Sequence, residues 1–306
     1  MPPPEHAPPP IIALFGPTGV GKTAIAVALA QLLRDRGESP VAVSADAMQV
    51  YAGLEILTGV ASAAEQAQLE HRLVSFLALE ETFSVGRYAE LAHAEIDELL
   101  HAGRRPIVVG GTGLYLRAAL TVLDLRPAPA PEVRERWLAR LEREGAASLH
   151  ATLARRAPWA AAAIAANDRQ RLVRALELLD EGALEPPDGR SQLWSEDLRR
   201  PTLLIGLTMD RAALYERIDR RVEEMLAAGV EEEVRRAHRA EVSSTAVKAL
   251  GFAELLEGDA ATVKRRTRNY ARRQLTWMRK LAGVLLIDVT GRSALEVAEE
   301  ILALDR

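Results

Sequence analysis

The chain has 306 residues, 48% of them hydrophobic, which is enough apolar mass for one large domain or for a core carrying an inserted module. Its 39 Lys and Arg against 43 Asp and Glu give a net charge of -4, and the absence of cysteine excludes disulfides, thiolate metal sites and a cysteine nucleophile. No apolar run is long enough to span a bilayer and no basic-then-apolar leader opens the chain, so a cytoplasmic protein without membrane attachment is expected.

Residues 1–10 are Pro-rich and expected to be disordered. The apolar run Ile11–Phe15 then leads into Gly16, Pro17, Thr18, Gly19, Val20, Gly21, Lys22 and Thr23, followed by the helical pattern Ala24–Ala30. A strand, a glycine-rich turn, Lys-Thr and a helix form the context of a phosphate-binding P-loop. Small residues let backbone N–H groups curl around an anion at a helix N-terminus. Lys22 reaches phosphate oxygens in such a loop, and the Thr23 hydroxyl is placed to hold Mg²⁺. An ordinary glycine-rich βα turn is the plain alternative, but here every P-loop position is filled.

Pro40–Ser44 reads as a second strand, ending at Ala45-Asp46, and Leu73–Leu79 as a short one. Ser84 is placed to cap a helix with apolar face Tyr88, Leu91, Ile96, Leu99 and Leu100, closed near Gly103. Pro106–Val109 is a buried strand running into Gly110-Gly111-Thr112-Gly113. Alternating strands and helices predict an α/β fold, a P-loop core with a mostly parallel sheet flanked by helices.

After about Leu120 the pattern changes. Residues 124–131 are Pro-rich, 131–181 are helical without strand signals, and 185–200 read as loop. A strand over Thr202–Leu207, helices from Asp210 through Leu281, a last strand over Val284–Ile287 and a helix over Ser293–Leu304 complete the chain. The expected division is a catalytic core over 11–119 and 201–306, interrupted by an all-helical insertion over 120–200. Between Lys264 and Lys280 lie eight basic residues and no Asp or Glu, a local patch suited to nucleic acid despite the acidic total.

Ligands in open parallel sheets bind beyond the carboxyl ends of the strands. Three loops meet that condition: the P-loop, Ser44–Gln49 and Gly110–Gly113. Asp46 supplies a carboxylate suited to general-base or metal work, with a turn or N-cap role as the plain alternative. Gln49 carries the donor and acceptor pair that reads an adenine edge. Thr112 offers a hydroxyl on a glycine-flanked turn. The strand before Gly110 ends without the acidic residue that holds Mg²⁺ in P-loop ATPases, which argues against a motor and for a transferase or small-molecule kinase.

Several motifs in order resemble the bacterial tRNA dimethylallyltransferases, also called tRNA isopentenyltransferases. They are the P-loop at 16–23, Asp-Ala-Met-Gln-Val-Tyr-Ala-Gly at 46–53, Phe-Ser-Val-Gly-Arg-Tyr at 83–88 and Val-Gly-Gly-Thr-Gly-Leu-Tyr-Leu-Arg-Ala at 109–118. Asn-Asp-Arg-Gln-Arg-Leu-Val-Arg-Ala-Leu-Glu at 167–177, Ala-Leu-Gly-Phe-Ala-Glu at 249–254 and the Arg-Gln-Leu-Thr-Trp helix within 267–279 follow. The resemblance implies transfer of a dimethylallyl group from its diphosphate to N6 of adenosine 37 in tRNA, with the P-loop and Mg²⁺ holding prenyl diphosphate in place of ATP. It implies Asp46 as base, Thr112 near the reacting carbon, and Arg217 on the diphosphate. The implied tRNA contacts are Asp46, Ala47, Met48, Gln49 and Thr112 around the flipped base, then Arg134, Gln170, Arg171, Leu172, Val173 and Arg174 in the insertion. Arg272, Arg273, Gln274, Trp277 and Arg279 on the basic helix complete the set. A monomer is expected. A kinase or isopentenyltransferase acting on free adenine nucleotide, and a non-catalytic RNA-binding module switched by nucleotide, are the competing readings.

The chain departs from the family where Asp-Ile-Gly-Thr-Ala-Lys usually follows Gly53. It reads Leu54-Glu55-Ile56-Leu57-Thr58-Gly59-Val60-Ala61 instead, and loses the lysine. Only His71 remains of a paired histidine, and a usual Gly-Tyr is Gly251-Phe252.

Overall fold

A computed structural model describes residues 11–126, 129–186, 193 and 197–305. The Pro-rich start and most of the expected 185–200 loop lie outside the described residues. The chain divides into two compact units, one formed by 1–123 with 192–306 and the other by 124–191.

The first unit is built on six parallel strands: β1 (Ile11–Phe15), β2 (Pro40–Ser44), β3 (His71–Arg72), β4 (Arg105–Gly110), β5 (Thr202–Thr208) and β6 (Leu285–Asp288). Their order is β3-β2-β4-β1-β5-β6. The central strand β1 is an unbroken apolar run because both of its faces are covered. Ile11, Ala13 and Phe15 enter one core layer, whereas Ile12 and Leu14 enter the other. The helices of this unit are α1 (Lys22–Asp35), α2 (Glu55–Thr58), α3 (Ala63–Gln68), α4 (Val85–His101) and α5 (Gly113–Leu120).

The second unit contains α6 (Pro131–Arg156), α7 (Pro158–Ala163) and α8 (Arg169–Asp180), with α6 kinked at Gly145. Its own core joins Trp137, Leu141, Leu149, Leu153, Leu172, Val173 and Leu176. The first unit resumes with α9 (Arg211–Ala227), α10 (Val230–Arg239), α11 (Phe252–Leu256), α12 (Ala260–Met278) and α13 (Ala294–Leu304).

Local chemistry sets these boundaries. Ser84 caps α4 by accepting from the Arg87 amide, and Ser293 with Glu296 forms a capping box on α13. Arg105 at the start of β4 is buried and pairs with Glu38 and Asp305, tying the last helix to the sheet. The strand expected over Leu73–Leu79 is not formed. Pairing stops at Arg72 because Leu73 and Ser75 adopt left-handed backbone, and only an isolated bridge between Tyr51 and Leu77 remains.

Candidate active site

The topology places β1, β2 and β4 side by side, so the loops after their carboxyl ends converge. Gly21 takes the left-handed conformation that turns the P-loop into α1. The amides of Gly19, Gly21, Lys22 and Thr23 have no backbone acceptor among the described residues, as expected for the start of a helix. Lys22 folds over its own loop and donates to the carbonyls of Gly16 and Pro17, each at 3.0 Å. An ammonium has three donors, so one remains for a ligand. Burial, followed by the nearby Arg221 guanidinium, pulls the Lys22 pKa down to about 8, and the Asp46 carboxylate offsets part of that shift.

Asp46 stands just past β2. Its Oδ1 accepts from the Met48 amide at 2.9 Å, and its Oδ2 accepts from the Thr112 hydroxyl at 3.4 Å. Thr112 begins α5 without capping it, so its hydroxyl is left for Asp46 on one side and the Tyr270 hydroxyl on the other, at 3.2 Å. Burial, reinforced by Asp46, raises the Tyr270 pKa to about 12 and pushes Tyr115 up further. Both phenols therefore stay protonated beside the carboxylate.

Helix α12 supports these loops from behind. Gln274 is 5% exposed, and it accepts from the Thr18 amide at 2.9 Å while donating to the Gly111 carbonyl at 2.7 Å. It therefore bridges the P-loop to the Gly110–Gly113 loop. A β-carbon on Gly111 would meet that amide, and one on Gly113 would enter the Trp277 ring, so both close approaches require glycine. Arg217, on α9, brings its guanidinium against Gly21 of the P-loop.

Other expected residues lie differently. Gln274 is no exposed RNA contact, since its amide is committed between the two loops. Gln49 is also engaged: it accepts from Ser44 at 2.9 Å and donates to the Gly59 carbonyl at 3.0 Å, so reading a base requires exchanging those partners. Ala47 and Met48 are partly buried against the core beside Asp46.

In the second unit Leu172 and Val173 are 0% and 3% exposed, which makes them core residues with no side-chain surface for RNA. Arg134 and Arg174 both pair with the buried carboxylate of Glu177, at 3.0 and 3.4 Å. Gln170 and Arg171 are exposed.

The basic stretch on α12 divides in two. Lys264, Arg266 and Arg268 are neutralised by Glu223, Glu254 and Asp219 from neighbouring helices. Arg272, Arg273 and Arg279 are exposed, with no carboxylate at ion-pair distance among the described residues. Arg273 lies over the Tyr270 ring at 5.5 Å. Asn269, Arg272, Arg273, Thr276 and Trp277 line an open hollow of ≈ 660 Å³.

Sequence reasoning missed Tyr270, Arg221 and Glu177. Tyr270 stands four residues before Gln274, and Arg221 four after Arg217, spacings that place each pair on one helix face.

A family model described as IPP transferase matches residues 49–281. The chain belongs to the IPP transferase family. A tRNA dimethylallyltransferase from Symbiobacterium thermophilum is 40% identical, with 97% of this chain and 95% of that protein covered. The Bacillus subtilis tRNA dimethylallyltransferase is 37% identical over 92% of this chain and 91% of its own. Among solved structures, the full-length tRNA isopentenylpyrophosphate transferase of Bacillus halodurans superposes with a TM-score of 0.68 at 33% identity, covering 97% of this chain and 96% of that one. A eukaryotic dimethylallyltransferase caught acting on tRNA gives 0.73 at 25% identity, covering 97% and 78%. The IPP transferase match begins at Gln49, downstream of the P-loop and Asp46, whereas the similarity to the Symbiobacterium protein takes in almost the whole chain. No helix among the described residues is long and apolar enough to cross a membrane.

Proposed function

We propose that this protein transfers a dimethylallyl group from dimethylallyl diphosphate to N6 of adenosine 37 in tRNA. The observation that carries the reading is the carboxylate of Asp46, joined to Thr112 and electrostatically coupled to Lys22 of the P-loop. An exocyclic amine is a poor nucleophile, and a base that takes its proton as the new bond forms lowers the barrier. The C1–O bond of the allylic diphosphate breaks, the C1–N6 bond forms, the N6 proton passes to Asp46, and diphosphate leaves. Thr112, steadied by Tyr270, holds the Asp46 oxygen toward the reacting amine.

Charge gathering on the leaving diphosphate is met by Lys22, Arg217 and the amides of Gly19, Gly21, Lys22 and Thr23. The chain's own oxygen donors fit Mg²⁺. The Thr23 hydroxyl makes no hydrogen bond among the described residues, and one hard hydroxyl beside a phosphate is the sparse ligation this ion favours. When bound there, the ion supplies Lewis-acid neutralisation of the diphosphate.

The target base must leave its stack to reach Asp46. Arg272, Arg273, Trp277 and Arg279 of α12, with Arg134, Gln170, Arg171 and Arg174 of the helical unit, are assigned to tRNA, mainly its phosphates. The cytoplasm is the assigned compartment. The test is mass spectrometry of unmodified tRNA after incubation with the protein and dimethylallyl diphosphate. A dimethylallyl adduct on adenosine 37 is expected. Labelling of AMP with none on tRNA overturns the assignment.

A further inference from the structure

Several arginines have no carboxylate at ion-pair distance among the described residues, Arg221 among them. Arg221 lies one helical turn after Arg217 on α9 and is partly buried. Its charge is felt by Lys22, and Asp46, Glu224 and Glu65 are the carboxylates that act on it electrostatically. None of those carboxylates comes within ion-pair distance, and no hydrogen bond joins its guanidinium to another described residue. A cation taken out of water without a close counter-ion is costly unless a ligand supplies the negative charge.

Its seat is built by Gly59. The position that a β-carbon on Gly59 would take is already filled by the Arg221 guanidinium. Gly59 itself is held firmly. It closes α2 with φ 64°, its carbonyl accepts from Gln49, and the Glu233 carboxylate anchors the preceding turn through the Ile56 and Leu57 amides at 2.9 and 2.8 Å. The glycine notch therefore seats an arginine from another helix where its charge acts on Lys22 of the P-loop. Asp46, Glu224 and Glu65 reach Arg221 only through space, so the donors of Lys22, Arg217 and Arg221 together suit a multiply charged anion that accepts paired hydrogen bonds.

We propose that Arg221, seated over Gly59, is a further diphosphate-binding residue acting with Lys22 and Arg217. The proposal rests on the transferase reading for the identity of the donor, but not for the anion. The test is calorimetric titration of the full chain with inorganic diphosphate, comparing the unsubstituted protein with Arg221→Gln, Arg221→Lys and Gly59→Ala. The glutamine variant is expected to bind diphosphate about tenfold or more weakly, as loss of charged hydrogen bonds implies. Its tRNA affinity should be retained, and its melting temperature should not fall, because an uncompensated charge has been removed. Arg221→Lys keeps the charge without the fork and should fall between the two. Gly59→Ala displaces the guanidinium and should weaken diphosphate in the same direction. Unchanged diphosphate affinity in both Arg221 variants overturns the proposal, as does a loss confined to tRNA binding. If the unsubstituted protein binds diphosphate through Arg221 yet alkylates no tRNA, the transferase reading falls and this site stands. If transfer proceeds and position 221 leaves diphosphate affinity unmoved, only this site falls.

Discussion

Arginine serves opposite ends in the helical unit and around the P-loop. In the helical unit Arg134 and Arg174 converge on Glu177, Arg136 and Arg156 on Asp180, and Arg140 and Arg143 on Glu144. Glu177 and Asp180 tie α8 to α6, and Glu144 pairs within α6. Around the P-loop, Arg217 and Arg221 have no carboxylate at ion-pair distance among the described residues, and Lys22 bonds only to carbonyls. Positive charge that is internally balanced builds a scaffold. Positive charge left unbalanced beside free amides marks the anion site proposed above.

The largest effect should come from the carboxylate that faces those cations. Asp46→Ala is expected to lower the rate of prenyl transfer by about 10²–10⁴-fold, the usual worth of a general base, with tRNA affinity kept. Single-turnover transfer from labelled dimethylallyl diphosphate measures this, and an unchanged rate would remove Asp46 from the mechanism.

Gln274→Ala sharpens the contrast, because its amide joins two loops of the anion site. Leaving those buried groups unpaired costs about 1–3 kcal/mol, so roughly a five- to hundredfold rise in KM for the donor is expected with tRNA affinity unaltered. A change in tRNA affinity alone would return Gln274 to the RNA surface.

Protonation of Lys22 offers a reversible test. Its pKa in the free protein is lowered to about 8, and an anion binds the protonated form. Diphosphate affinity should therefore hold below that pH and weaken above it, by up to about tenfold per pH unit. The same shift makes charged Lys22 a cost to folding below pH 8, a cost relieved between about 8 and the ordinary lysine value because the folded state gives up its proton before the unfolded chain does. Affinity flat from pH 7 to 9.5 would mean that Lys22 is not titrating against the ligand.

The smallest effect separates the two halves of α12. Arg272→Ala should weaken tRNA binding by a few-fold and make the salt dependence shallower by about one phosphate contact. Arg268→Ala, whose charge already answers Asp219, should leave that slope alone. Equal slopes for both variants would erase the distinction.

Much of this was legible in the residues. The P-loop, Asp46, Thr112, the capped α4 and the parallel sheet follow from short-range patterns whose chemistry is carried by neighbours in the chain. What stayed hidden depends on partners distant in sequence. Gln274 looked like one more polar residue on a basic helix until Thr18 and Gly111 took both ends of its amide. Lys264, Arg266 and Arg268 looked unpaired because their carboxylates come from α9 and α11. Leu172 and Val173 travelled with a motif whose Gln170 and Arg171 are exposed, although helical periodicity turns them inward. Leu73 and Ser75 broke an expected strand through backbone torsions that no apolar pattern reports.

Helix α12 presents Tyr270 and Gln274 to the reaction loops from one side, and Arg272, Arg273 and Arg279 to solvent on another. With tRNA on the outer arginines as proposed, one helix serves both the RNA and the loops that hold the donor. Any displacement that a bulky polyanion imposes on the outer arginines would reach the Thr18 and Gly111 contacts. Linkage then demands that the prenyl donor alter the grip on RNA by the same factor in return.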